Sequence, residues 1–136
     1  MSLTQLVYAS RPFGFDQAML NRILMDARRC NERDDITGAL IARGDLYMQL
    51  LEGPKEKLLA TYDRIIDDDR HIEVTQLVQR QVETRMFPGW AMREDPAQSW
   101  VWSIDAVRDG AVDRATEAEA LGFFERLAEM GVVSPR

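Results

Sequence analysis

The chain has 136 residues, a length suited to one domain with a short appendage. Seventeen Lys and Arg against 23 Asp and Glu give a formal charge of −6 and a pI near 4.8. That balance speaks against phosphate-backbone and anionic-lipid ligands, so neither a nucleic acid nor a membrane is expected as partner. A single cysteine excludes an intramolecular disulfide and a Cys-rich zinc cluster, and no metal site is expected. No apolar run approaches the roughly 20 residues of a membrane span, and the N-terminus lacks the basic and apolar regions of a signal peptide. The expectation is a cytoplasmic protein. With one histidine and one cysteine, the chain is thin in catalytic groups.

Residues 3–9 read as a strand buried on both faces, ended by Arg11-Pro12-Phe13-Gly14. Asp16 suits the cap of a following helix. Leu20, Ile23, Leu24 and Ala27 form that helix's apolar stripe, and Asn31 ends it. Ile36–Ala42 and Leu46–Leu51 read as antiparallel strands around a Gly44-Asp45 turn. Pro54 suits the first turn of a second helix. Leu58, Leu59, Tyr62, Ile65 and Ile66 supply its buried face, and the run Asp67 to His71 closes it. Ile72–Val82 reads as a fourth strand. Residues 85–94 read as a fifth, which Pro88 demotes to an edge. Asp95-Pro96 then interrupts, and residues 115–130 form an amphipathic helix around Ala120, Phe124 and Leu127.

The order βαββαββ is that of a ferredoxin-like α+β fold: a mixed sheet with two helices on one face. The C-terminal helical appendage is placed to cover the other face. The expected division is residues 1–94 for the domain and 95–136 for the tail.

No nucleophile–base pair, Gly-rich phosphate loop, HExxH or G-x-S-x-G is present. Cys30, near a helix C-terminus, has no dipole reason to ionise and reads as a half-buried small hydrophobe. By itself His71 reads as a capping or exposed side chain. Three polar residues, however, sit where apolar ones cost less. Gln49 lies in the third strand on the face of Tyr47 and Leu51, Tyr8 lies in the first on the face of Leu6, and Asn31 ends the inner stripe of the first helix. A buried amide costs ~1–3 kcal/mol unless it is hydrogen-bonded. In a ferredoxin-like sheet the first and third strands are central neighbours, so Tyr8 and Gln49 can meet with Asn31 above them. A heterocycle with alternating N–H and C=O groups would complete that set. Spacing alone favours a Tyr and a Gln on separate faces with partners of their own.

Leu6-Val7-Tyr8-Ala9-Ser10, Arg29-Cys30-Asn31 and Ile36-Thr37-Gly38 resemble the first half of the BLUF domain, a blue-light sensor that uses FAD. Tyr47-Met48-Gln49-Leu50-Leu51-Glu52-Gly53, Asp68-Asp69-Arg70-His71 and Arg85-Met86-Phe87-Pro88-Gly89-Trp90-Ala91-Met92 resemble the second half. The resemblance covers about residues 3–93, in order and at family spacing.

What it implies is a flavin held between the two helices. Asn31 would bond its carbonyl and imide edge, and Ile23 and Ile65 would pack on its faces. Arg64, Asp68, Arg70 and His71 would contact the other edge or stabilise that end of the site. Tyr8 would be the light-driven electron and proton donor, and Gln49 the amide that rearranges. Trp90 and Met92, two apart on one face of the fifth strand, would sense the change. Cys30, Ala27 and Asp35 depart from residues common in the family.

The expectation is thus a stand-alone photoreceptor, not an enzyme, that signals through its tail to a separate protein or to an oligomer of itself. The alternatives are a light-insensitive flavin-binding or dimerising module of the same fold, or an acylphosphatase-like hydrolase, of which Arg11 and Asn31 are loosely reminiscent.

Overall fold

The computed structural model describes residues 3–12, 17–68 and 71–130, with the backbone alone for His71. The elements are β1 (Leu3–Pro12), α1 (Gln17–Asp34), β2 (Thr37–Arg43), β3 (Leu46–Gly53), α2 (Lys55–Ile66), β4 (His71–Val82), β5 (Arg93–Pro96), α3 (Ile104–Arg108) and α4 (Glu117–Met130). Five strands form one sheet in the order β4-β1-β3-β2-β5. β1, β3 and β4 pair antiparallel, as do β2 and β3, while β5 runs parallel to β2. The sheet is therefore mixed, and the expected α+β arrangement holds. The expected cap Asp16 lies outside the described residues.

Two cores follow from the alternation of the central strands. Leu6, Tyr8, Leu40, Tyr47 and Leu51 face α1 and α2, where they meet Leu20, Ile23, Leu24, Leu58 and Tyr62. Val7, Ala39, Ile41, Met48 and Leu50 face the opposite side, where Ala120, Leu121, Phe124 and Leu127 of α4 cover them. Trp102 meets Phe123 edge-on at 5.0 Å between ring centres, so the tail packs on the sheet through aromatic as well as aliphatic side chains. α3 has no counterpart in the apolar periodicity. It is one short turn whose cap, Ser103, accepts from the Ala106 N–H.

Three expectations need correction. The fifth strand does not run over 85–94; residues 83–92 form a loop and the strand begins at Arg93. Pro88 has no N–H to give a ladder, and Gly89 sits at φ 84°. The N–H groups of Met86 and Phe87 are both taken by the Glu52 carboxylate. Asp95-Pro96, expected to interrupt, ends the strand, and Pro96 is tolerated there because β5 pairs only with β2 among the described strands. Ile66, expected in the buried face of α2, is 49% exposed, because the helix ends at this residue and the stripe has turned outward.

α1 ends into Asp35, whose φ of 58° lies in the left-handed region that favours glycine. Arg85 ties the turn down: its guanidinium donates to the Asp35 carbonyl at 2.9 Å and pairs with the Asp35 carboxylate at 3.2 Å. It also reaches Thr37 Oγ1 and the Glu52 carbonyl.

Gly38 is required for a different reason. A Cβ there would lie 1.9 Å from the Leu50 carbonyl oxygen, inside the β2–β3 pairing. Gly38→Ala is expected to destabilise the fold by about 2 kcal/mol or more. Gly44→Ala, in the hairpin turn with nothing within 4 Å of a Cβ, is expected to change stability by less than about 0.5 kcal/mol. Urea unfolding of the two variants checks both.

Candidate functional site

Tyr8 and Gln49 are direct partners across the β1–β3 pairing, both on the face toward α1 and α2. Tyr8 is fully buried and Gln49 nearly so. The pairing of β1 with β4 shifts register beside Tyr8: Val7 pairs with Val78 and Tyr8 with Gln76, so the extra residue, Leu77, lies on β4. A bulge on the neighbouring strand changes which residue lies opposite the tyrosine without ending the pairing.

The Tyr8 hydroxyl donates to Gln49 Oε1. At its other end, Gln49 Nε2 reaches the sulfur of Met92 at 3.3 Å. The amide thus uses its acceptor on one neighbour and its donor on the other, and all three groups are uncharged. Burial, more than any neighbour, pushes the Tyr8 phenol far above its ordinary pKa, with Tyr62, Asp68 and Tyr47 adding to the effect. The rings of Tyr8 and Tyr62 lie 5.6 Å apart.

Over this trio, between α1 and α2, is a cavity of about 260 Å³. Ile23, Ala27, Cys30 and Asn31 line it from α1, and Thr61, Arg64 and Ile65 from α2. Gln49 and Leu51 line it from β3, and Asp68 from just beyond α2. Small-molecule sites run to roughly 300–1,000 Å³, so the cavity suits a ring system inserted between the helices and not a whole dinucleotide. Its chemistry fits a flavin ring: apolar side chains from two opposed helices, and a buried amide pair in Asn31 and Gln49.

The expected site residues divide into three groups. Ile23, Asn31, Arg64, Ile65 and Asp68 line the cavity together with Gln49, and Tyr8 is joined to it through Gln49. Arg70 lies outside the described residues, and so does the side chain of His71. Trp90 and Met92 do not share a strand face, since both precede β5. Met92 is fully buried with the α1 and α2 core. Trp90 packs on the opposite core, with the Arg93 guanidinium 5.9 Å from its ring centre. Loop geometry replaces the strand alternation that would have placed the two together.

Asn31 Nδ2 donates to the Ala91 carbonyl at 2.7 Å, and Arg28 Nε to the Met92 carbonyl at 3.0 Å. The first helix therefore holds the loop that delivers Met92. Arg64 donates to Thr61 Oγ1 at 2.9 Å and approaches Asp34 at 3.6 Å, an exposed contact of small energetic weight. Thr61 was legible as a polar residue three past Leu58 and four before Ile65, on the apolar stripe of α2, as Asn31 is on that of α1. Arg28 carried no such signal, because its partner is a backbone carbonyl 64 residues away.

Raised in the fold, the phenol of Tyr8 contributes stability at pH values below its ordinary pKa of about 10, and that contribution is lost as pH climbs above it. The expected outcome is a stability that falls above pH ~10 in the wild type and falls less steeply in Tyr8→Phe, read by urea unfolding across alkaline pH.

A family model described as sensors of blue-light using FAD matches residues 3–93. The beta subunit of the photoactivated adenylate cyclase of Euglena gracilis is 35% identical over 92 residues, which are 67% of this chain and 10% of that protein. The blue light- and temperature-regulated antirepressor BluF of Escherichia coli K12 is 33% identical over 86 residues, 62% of this chain and 21% of that protein. The chain thus spans about a tenth to a fifth of the length of these relatives. Among solved structures, the dark state of BlrB, a BLUF protein, superposes with a TM-score of 0.80 at 26% identity, covering 96% of this chain and 98% of that one.

Proposed function

Because the chain belongs to the BLUF family, whose cofactor is FAD, we propose that it is a blue-light sensor whose switch is the Tyr8–Gln49–Met92 chain of contacts. The observation that carries this reading is the placement of the Gln49 amide, which bonds both neighbours and lines the cavity. When bound, the FAD supplies the blue-light absorption and an electron-accepting ring.

The residues of the chain supply the rest. Ile23 and Ile65, from two helices, would sandwich the ring, and Asn31 would offer its amide to the ring's polar edge. Arg64 and Asp68 would hold the other end of the site, the end to which Arg70 and His71 would contribute. Tyr8 would donate an electron and, with it, the phenolic proton now held against Gln49 Oε1, both going to the ring. Moving both together would leave no charge on the buried tyrosine, where burial would penalise it. Gln49 then reverses which of its ends donates and which accepts, by rotation or tautomerisation. Met92 loses or changes its donor, and the loop that carries it and Trp90 passes the change to the tail.

In this reading residues 1–94 sense and residues 95–136 transmit, the output reaching a separate protein or a second copy of the chain. The role is sensing in the cytoplasm and not catalysis. The photoactivated cyclase and the antirepressor, by their names, couple light to different outputs, which is consistent with a sensor unit indifferent to what it drives.

The purified protein is expected to be yellow, and blue light to shift its flavin absorption slightly to the red, reversibly in the dark. Gln49→Leu is expected to keep the flavin and abolish the shift, read in a light-minus-dark spectrum. Colourless protein that FAD does not reconstitute would refute the reading. Full flavin occupancy with no spectral response would leave a light-insensitive module of the same fold.

A further inference from the structure

Glu52 is a fully buried carboxylate with two donors on each oxygen. Oε1 accepts from Gln5 Nε2 at 3.2 Å and from the Met86 N–H at 2.9 Å. Oε2 accepts from Thr37 Oγ1 at 3.3 Å and from the Phe87 N–H at 2.7 Å. A carboxylate accepts at both ends, so it satisfies all four donors; a glutamine of the same shape would set its NH2 against at least one of them.

These donors come from β1, from β2 and from the start of the loop 83–92. The far end of that loop is held from the cavity side, by Asn31 on Ala91, Arg28 on Met92 and Gln49 on the Met92 sulfur. Between the two ends, the Trp90 carbonyl accepts from the Gly38 N–H at 3.1 Å. Gln49 and Glu52 stand three positions apart on β3 and so face opposite sides of the sheet. The loop is suspended between them. Phe87, whose amide Glu52 holds, meets Phe124 of α4 edge-on, with 6.4 Å between ring centres.

We propose that Glu52 is a positioning residue: by fixing the Met86–Phe87 end of the loop, it sets where Met92 rests against Gln49 and joins that contact to α4. The proposal rests on the switch reading given above for what the Gln49–Met92 contact does, while its mechanical part concerns the chain alone.

The test uses the flavin-loaded full chain. Glu52→Gln is expected to retain the flavin and the red shift but to speed dark recovery by about tenfold, since a loosened loop lowers the barrier to return. In the dark, hydrogen exchange at the Gly38 amide is expected to rise by about tenfold. That amide is bonded to Trp90 and not to Glu52, so a role confined to local packing would leave it unchanged. Thr37→Val removes one donor from Glu52, together with the acceptor that Arg85 uses, and spares the carboxylate; both readouts should move the same way, by about threefold.

Wild-type recovery and wild-type Gly38 exchange in these variants, with faster exchange only at Met86 and Phe87, would overturn the proposal. If Glu52→Gln does not fold, Thr37→Val decides alone. A wild-type chain that binds FAD without any light response would refute the switch reading, and the Gly38 exchange would still test the loop.

Discussion

The molecule is organised around one cross-strand pair, Tyr8 opposite Gln49, at the centre of a sheet covered on both sides. Two polar side chains in that position are tolerable only because each satisfies the other and Met92 takes the remaining amide donor. The register of β1 against β3 must therefore be fixed to the residue, since a slip of one position by either strand would turn its member of the pair toward α4. Several features act as pins. The extra residue on β4, Leu77, sets the register of β4 against β1 beside Tyr8. Gly38 lets β2 approach β3 closely enough that no other side chain fits. The α4 face receives Glu52, whose four bonds bind β3 to β1, β2 and the loop.

Much of this was legible in the sequence, and for identifiable reasons. Short apolar runs bounded by turn residues in 3–9 and 46–51, and the stripes Leu20–Ile23–Leu24 and Leu58–Tyr62, are local signals that report local structure. The meeting of Tyr8 and Gln49 was not local. It followed only once the ferredoxin-like order made β1 and β3 neighbours, and the family resemblance then favoured it over separate faces. The segment 85–94 was misread because its backbone is claimed by a carboxylate 34 and 35 residues earlier, and no window of sequence contains both partners. The same error put Trp90 beside Met92. Spacing of two residues means a shared face only inside a strand.

The helices contribute differently. α1 and α2 present apolar stripes, but each stripe carries one polar member, Asn31 and Thr61, both buried and both lining the cavity. A stripe without them would close on the sheet as ordinary core. Asn31 also reaches the Ala91 carbonyl, so the same amide borders the cavity and steadies the loop behind it. The binding space and the segment that reports on it are thus held by one side chain.

The groups joined at the sheet centre are a phenol, a carboxamide and a thioether, and none carries a formal charge. Such a set projects almost no electric field beyond its own contacts, because dipoles that small fade over a few ångströms. Ions in the surrounding solution have little to grip, and ordinary drifts in acidity have nothing there to protonate. Any rearrangement of the trio is consequently quiet at a distance and audible only by touch. Information leaving the sheet has to travel through packed atoms, along the loop and into the aromatic contacts of the last helix.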